Sequence, residues 1–83
     1  MKNNIQKLRK KIKYRCTHTA LKETDILYKK YILSKINKFH INDLEDILNL
    51  FKYFSDNKIL LFLCRKKIPP KKYLYIFKKL IHD

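Results

Sequence analysis

Apolar residues recur at spacings of three and four along most of the chain, which is the periodicity of helices that bury one face. Ile5, Leu8 and Ile12 mark the first such helix. An unbroken apolar run from Ile59 to Cys64 marks another that is buried on most sides. The pattern predicts five helices, at about residues 4–15, 20–36, 43–54, 57–66 and 70–82.

Polar residues and prolines indicate where these helices begin and end. Asn42, with Glu45 three residues later, is typical of a capping box at the start of the third helix. Ser55-Asp56-Asn57 is a turn and cap signal before the fourth helix, and Pro69-Pro70 separates the fourth from the fifth. Because the connections are short, we expect an all-α fold, a compact five-helix bundle formed by residues 1–83 as a single domain.

Glycine is absent from the 83 residues, although average usage is about 7%. Phosphate-binding loops of nucleotide-binding proteins depend on glycine, because their backbone adopts conformations that a Cβ atom hinders. The composition therefore excludes a P-loop and a glycine-rich dinucleotide cradle.

Positive charge dominates the composition, with 21 basic and 7 acidic residues and a net charge of +14. The excess lies at both ends of the chain, in residues 1–15 and 58–83, whereas residues 42–57 are net acidic. Lysine greatly outnumbers arginine, which favours a solvated surface enriched by codon bias. Nucleic acid is a less favoured partner, because no predicted helix carries the Arg/Asn/Gln cluster that reads base edges. An anionic membrane surface or an acidic protein partner is the remaining alternative.

Catalytic and metal-binding residues are sparse. The two cysteines and three histidines form no cluster with the short spacing of a metal site. Cys16 and His18 do not share a face of any regular element, and Glu23 and Asp25 are splayed by about 200° on a helix, so neither pair predicts catalysis. We therefore expect a binding protein and not an enzyme.

Targeting signals are equally weak. The longest apolar run is far shorter than the roughly 20 residues of a membrane span. The basic segment 1–15 lacks the serines and the arginine bias of a mitochondrial presequence. Two isolated cysteines are typical of reduced thiols in a cytosol-like compartment. Because no clear presequence is present, we expect a cytoplasmic protein rather than one of the mitochondrial matrix.

Three segments carry distinctive motifs: residues 9–25, 42–45 and 55–70. Together they resemble the succinate dehydrogenase assembly factor 2 family, whose bacterial members are called SdhE. Residues 9–25 are similar to its basic first helix, its Tyr/Phe-Arg-Ser motif and its Arg-Gly-x-x-Glu motif followed by Asp. Asn42-Asp43-Leu44-Glu45 resembles its Ser-x-x-Glu helix start, and residues 55–70 resemble its Asp-Asn, apolar helix, basic stretch and prolines. The resemblance covers about residues 8–82 and agrees with the order of five helices.

The resemblance implies an assembly factor that binds the flavoprotein subunit of succinate dehydrogenase or fumarate reductase and promotes covalent attachment of FAD to it. It implies no stably bound cofactor, since the FAD belongs to the partner, and we expect a monomer when the protein is free. Some relatives are credited with an antitoxin role, which leaves an antitoxin-like protein-binding module as an alternative. The resemblance implies that the partner-binding residues are Tyr14, Arg15, His18, Thr19, Ala20, Glu23 and Asp25, with Asp56 and Asn57 as secondary candidates that the pattern also explains as helix caps.

One departure from the family pattern falls within this predicted surface. Thr19-Ala20 stands where the family has Arg-Gly, whereas Glu23 and Asp25 are kept. Threonine removes a charged bidentate donor, and alanine adds a methyl group where glycine allows close approach. We therefore expect weaker partner binding or compensating contacts from Arg15 or His18.

Overall fold

Apolar side chains spaced by three and four residues meet in one continuous core, to which every helix contributes. The computed structural model describes residues 2–19 and 22–81. Over these ranges the chain forms helices and no strand, which confirms the all-α, single-domain fold. The elements are α1 (Lys2–Thr17), α2 (Lys22–Tyr31), a 3-10 helix (Leu33–Lys38), α3 (Ile41–Tyr53), α4 (Asp56–Leu63) and α5 (Lys71–Ile81).

Helix α1 packs mainly along α3 and presents a narrow apolar stripe to it. Ile12 and Cys16 are completely buried, whereas Ile5 and Leu8 are partly exposed. Burial therefore increases toward the C-terminal end of α1. That end is held firmly against the core and carries the residues of the predicted binding surface.

The helix predicted over 20–36 is divided in two, with α2 ending at Tyr31 and a 3-10 helix beginning at Leu33. Residues 20 and 21 lie outside the described ranges. The Ser34 hydroxyl donates to the Lys30 carbonyl at 2.6 Å, which is the acceptor that the Ser34 N–H would use in a continued α-helix. The tighter 3-10 segment still buries Ile36 in the core.

The predicted capping box of Asn42 and Glu45 is wrong by two residues. Helix α3 begins at Ile41, and the carboxylate of Asp43 accepts the backbone N–H of the capping residue His40 at 3.2 Å. Asn42 and Glu45 are exposed, whereas Asp43 is 3% exposed. Asp43, the third residue of the helix, thus has the role predicted for Glu45. Lys79 of α5 pairs with the same carboxylate at 2.8 Å, which offsets the cost of burying it.

Helix α4 spans Asp56–Leu63, so it ends earlier than the predicted residue 66. The backbone of Arg65 is left-handed, with φ 62°, and the N–H groups of Arg65 and Lys66 donate to Phe62 and Leu61. This pair of hydrogen bonds is a Schellman motif, in which the left-handed position is usually glycine. In a chain without glycine, arginine occupies it at some cost in conformational energy.

Candidate functional site

Tyr14, in the last turn of α1, stacks on His18, the first residue after that helix. Their ring centroids are 3.9 Å apart with the planes 20° from parallel, and both side chains are exposed. Nδ1 of His18 lies 2.7 Å from the Tyr14 carbonyl oxygen. A carbonyl only accepts, so Nδ1 carries the proton, and Nε2 of the neutral ring is the hydrogen-bond acceptor. The structure thus presents a flat aromatic surface and a ring nitrogen of defined tautomer.

Arg15, also in the last turn of α1, binds Asp56 at the start of α4. Nη2 lies 2.7 Å from Oδ1 and Nη1 lies 3.2 Å from Oδ2, which is a bidentate arrangement. The guanidinium also lies over the ring of Phe51, 5.2 Å from its centroid. Arg15 therefore joins three helices, α1, α3 and α4, at the base of the predicted binding surface.

Tyr28 completes this buried cluster from α2. Its hydroxyl donates to Oδ1 of Asp56 at 2.8 Å, and its side chain is fully buried. Burial, and then the hydrogen bond to Asp56, raises the pKa of the Tyr28 phenol, so the hydroxyl stays a donor at neutral pH. Asp56 is thus the acceptor for both Arg15 and Tyr28, and we call these three residues the Asp56 cluster.

Cys16 lies beside the Asp56 cluster and is also fully buried. Burial raises the pKa of its thiol to about 12, against the smaller opposing effect of Arg15. A buried thiol that keeps its proton is a poor nucleophile. Cys16 therefore serves as a core residue.

The acidic residues of the predicted surface lie in the first turn of α2. Glu23 is exposed, and the Asp25 carboxylate lies 3.7 Å from Nζ of Lys29 one turn later. Both carboxylates are placed favourably for the helix dipole. Glu23 is thus the accessible carboxylate of the pair, and Asp25 also has a role within its own helix.

Thr19, Asp56 and Asn57 differ in their environment. Thr19 is partly buried in the connection between α1 and α2, and Ala20 lies outside the described ranges. The predicted capping role of Asp56 and Asn57 falls to Ser55, whose hydroxyl accepts the N–H of Lys58 at 3.3 Å. Asn57 is exposed, and Asp56 instead makes tertiary contacts.

Sequence reasoning missed Tyr28 and Phe51 as supports of this site. One signal was available for Tyr28: it lies in the apolar stripe of its helix, and a buried tyrosine hydroxyl usually finds a hydrogen-bond partner. The identity of that partner was not predictable, because Asp56 is 28 residues away in the chain.

Metal-binding and membrane-spanning features are not found among the described residues. Within residues 2–19 and 22–81, no group of three His, Cys, Asp or Glu side chains is placed to hold a metal ion. Over the same part of the chain, no helix combines the length and apolar character needed to cross a bilayer.

The fold and this geometry define a small all-α domain whose distinctive groups lie at the junction of its first two helices. The family model Sdh5, flavinator of succinate dehydrogenase, matches residues 10–82. The chain therefore belongs to the Sdh5 family of succinate dehydrogenase assembly factors, which confirms the resemblance found in the sequence. No curated protein and no solved structure matches the chain.

Proposed function

We propose that this protein binds the flavoprotein subunit of succinate dehydrogenase, or of fumarate reductase, and promotes the covalent attachment of its FAD. The single observation that carries the proposal is the match of residues 10–82 to the flavinator family. The exposed Tyr14–His18 pair and the Glu23 carboxylate support it, because they are accessible groups on a rigid scaffold, as protein recognition requires.

The binding surface consists of Tyr14, His18 and Glu23, with Thr19, Ala20 and Asp25 between or beside them. Tyr14 supplies apolar area, His18 accepts a hydrogen bond at Nε2, and Glu23 accepts from a cationic or N–H group of the flavoprotein. Arg15 acts differently: its guanidinium is held by Asp56, so it is a positioning residue that keeps the end of α1 in place.

Flavinylation chemistry stays with the client in this proposal. A chain without glycine has no glycine-rich cradle for the FAD pyrophosphate, so the flavin remains bound to the flavoprotein. The assembly factor stabilises the flavoprotein conformation in which the attachment proceeds, and it acts in this way without being the catalyst. Thr19-Ala20 lacks the charged donor of the family's Arg-Gly, so we expect weaker binding to the partner.

Co-expression with the flavoprotein subunit tests the proposal. The complex is captured through a tag on this protein, and covalent flavin is read from the fluorescence of the flavoprotein band in a denaturing gel. We expect capture and a fluorescent band with the wild type, and loss of both with Glu23→Ala and with a Tyr14→Ala/His18→Ala double variant.

Glu45→Ala is the matched control, since Glu45 is an exposed glutamate on α3, away from the junction. It should behave as the wild type. If the wild-type protein captures no flavoprotein, with or without FAD, the proposal is wrong. Equal losses with Glu23→Ala and Glu45→Ala would show that the junction is not the binding surface.

A further inference from the structure

A second concave surface lies at the other end of α4, between its last turn, the following loop and α5. We call it the α4–α5 groove. It encloses about 240 Å³, and its walls include Phe62, Leu74 and Phe77. Sites for drug-sized molecules usually measure about 300–1,000 Å³, so the α4–α5 groove is suited to one large side chain rather than to a whole cofactor.

The rim of the groove is basic. Arg65, Lys67 and Lys78 line it, and residues 57–82 contain no aspartate or glutamate that would neutralise them. Each of these three side chains is exposed. An apolar floor below a cationic rim is complementary to a ligand that carries negative charge on both sides of an apolar group.

The loop that forms one wall is ordered by its own backbone hydrogen bonds. Lys66 N–H donates to the Leu61 carbonyl at 2.9 Å, and Tyr73 N–H donates to the Pro70 carbonyl at 2.8 Å. The loop nevertheless leaves Ile68 86% exposed. An exposed isoleucine on a fixed loop beside a cavity extends the apolar surface that a ligand would cover, and little conformational entropy is lost on binding.

Charge and shape exclude two other occupants. A second copy of this chain carries the same +14 charge and would bring basic rims together. A bilayer is flat on this scale, so it would contact Ile68 and leave the floor formed by Phe62 and Phe77 uncovered. A peptide segment reaches both the rim and the floor.

We propose that the α4–α5 groove binds an acidic segment of a protein partner, with one large apolar side chain of that segment in the cavity and its carboxylates beside Arg65, Lys67 and Lys78. The segment would bind as an anchored peptide. Burial of its apolar side chain in the cavity provides affinity, and the basic rim selects for negatively charged segments. This proposal goes beyond the proposed function, because the two surfaces are at opposite ends of α4. Asp56 begins that helix, and Phe62, in the wall of the α4–α5 groove, lies six residues or about 9 Å further along it.

Fluorescence anisotropy with a labelled nine-residue peptide tests this inference. The probe has four alternating aspartates and glutamates on each side of a central phenylalanine. Two further probes replace the phenylalanine with alanine, or every acid with its amide. At 150 mM NaCl we expect saturable binding of the first probe, about tenfold weaker binding of the alanine probe, and still weaker binding of the amide probe.

Variants locate the binding. Lys67→Glu/Lys78→Glu reverses the rim charge, and Leu74→Trp fills the cavity without changing charge; each should weaken binding at least tenfold. Lys10→Glu/Lys13→Glu is the matched control, since it makes the same change in net charge on exposed positions of α1 and should change affinity less than twofold. Circular dichroism establishes that each variant is folded, and Lys67→Glu/Lys78→Glu keeps the test decisive if Leu74→Trp unfolds.

Three results would overturn the inference. The first is equal affinity for the phenylalanine and alanine probes, and the second is equal weakening of binding by the charge reversals in the groove and in α1. The third is that no peptide binds, whereas vesicles of 30% phosphatidylglycerol in phosphatidylcholine do. The last would assign the basic surface to a membrane. No flavoprotein enters the experiment, so its failure leaves the proposed function unaffected.

Discussion

Arg15 and Asp56, 41 residues apart in the chain, form a bidentate ion pair with a shortest N···O distance of 2.7 Å. The pair connects the last turn of α1, next to Tyr14 in the sequence, to the start of α4. Tyr28 donates to the same carboxylate. The placement of the end of α1 therefore depends on a carboxylate of α4.

Replacement of Asp56 should destabilise the protein markedly. Asp56→Ala leaves the Arg15 guanidinium and the buried Tyr28 hydroxyl without their acceptor, and we expect a loss of about 2–3 kcal/mol in the free energy of unfolding, measured with urea. Tyr28→Phe removes one hydrogen bond and should cost about 1 kcal/mol. Glu45→Ala is the control and should cost less than about 0.5 kcal/mol. An Asp56→Ala variant as stable as the control would contradict a structural role for the cluster.

The free energy of unfolding should fall as the pH rises from 9 toward 12. Burial raises the pKa of Cys16 from 9.0 to about 12, so the unfolded chain releases this proton first. The stability contribution is complete below pH 9 and is lost as the pH approaches the folded pKa, at up to about 1.4 kcal/mol per pH unit for one group.

Cys16→Ala removes this thiol, so the free energy of unfolding should fall less steeply between pH 9 and 12. The difference in slope should correspond to about one proton. Urea unfolding at several pH values measures the slope. Cys64→Ala is the matched control, because Cys64 is exposed, and its slope should match the wild type. An unchanged slope in Cys16→Ala would show that the thiol does not titrate differently on folding.

Arg65→Gly should stabilise the protein. Arg65 has a left-handed backbone at the end of α4, where glycine has no steric penalty. We expect a net gain of about 0.5–1 kcal/mol in the free energy of unfolding, after the cost of the greater freedom of glycine in the unfolded chain. A higher melting temperature would show it. Lys67→Gly, two residues later in the same loop, lacks the left-handed backbone and should give no gain. A lower melting temperature for Arg65→Gly would contradict this account.

Removal of the Lys79 ammonium should destabilise the start of α3. Its hydrogen bond to Asp43 raises the pKa of Lys79 above its usual value, and Asp43 is buried. Lys79→Met leaves that carboxylate buried with the His40 N–H as its remaining donor, so we expect a lower urea midpoint. Lys78→Met, the adjacent exposed lysine, should leave the midpoint unchanged. If both variants shift it equally, the ion pair is not responsible.

The end of α2 and the start of α3 show where sequence patterns were insufficient. Apolar periodicity continues from Tyr28 through Ile36, so it predicted one helix, whereas the Ser34 side chain competes for a backbone acceptor and the chain tightens into a 3-10 helix. At α3, a capping box of Asn42 and Glu45 was predicted, whereas the structure has His40 and Asp43 in those roles. The buried Asp43 carboxylate pairs with Lys79, which is 36 residues away from it in the chain.

The residues predicted for partner binding differ in how the structure places them. Tyr14, His18 and Glu23 were named from a motif, and the structure places the first two in a stacked pair and the third on an exposed helical turn. Arg15 belongs to the same motif, yet its side chain is engaged with Asp56. A linear motif does not show which of its members points inward.

The sequence alone determined the helical character and the family of this protein, because helical periodicity is a local property and the family pattern is read residue by residue. Comparison with the family pattern also showed that Ala20 stands where the family has a glycine. Tertiary structure decided the partners of two carboxylates: Asp56 with Arg15 and Tyr28, and Asp43 with Lys79. It also placed a left-handed backbone at Arg65. The physical reason is that a charge is buried only where other groups of the fold pair with it. Those groups come from distant parts of the chain, so a local sequence pattern does not predict them.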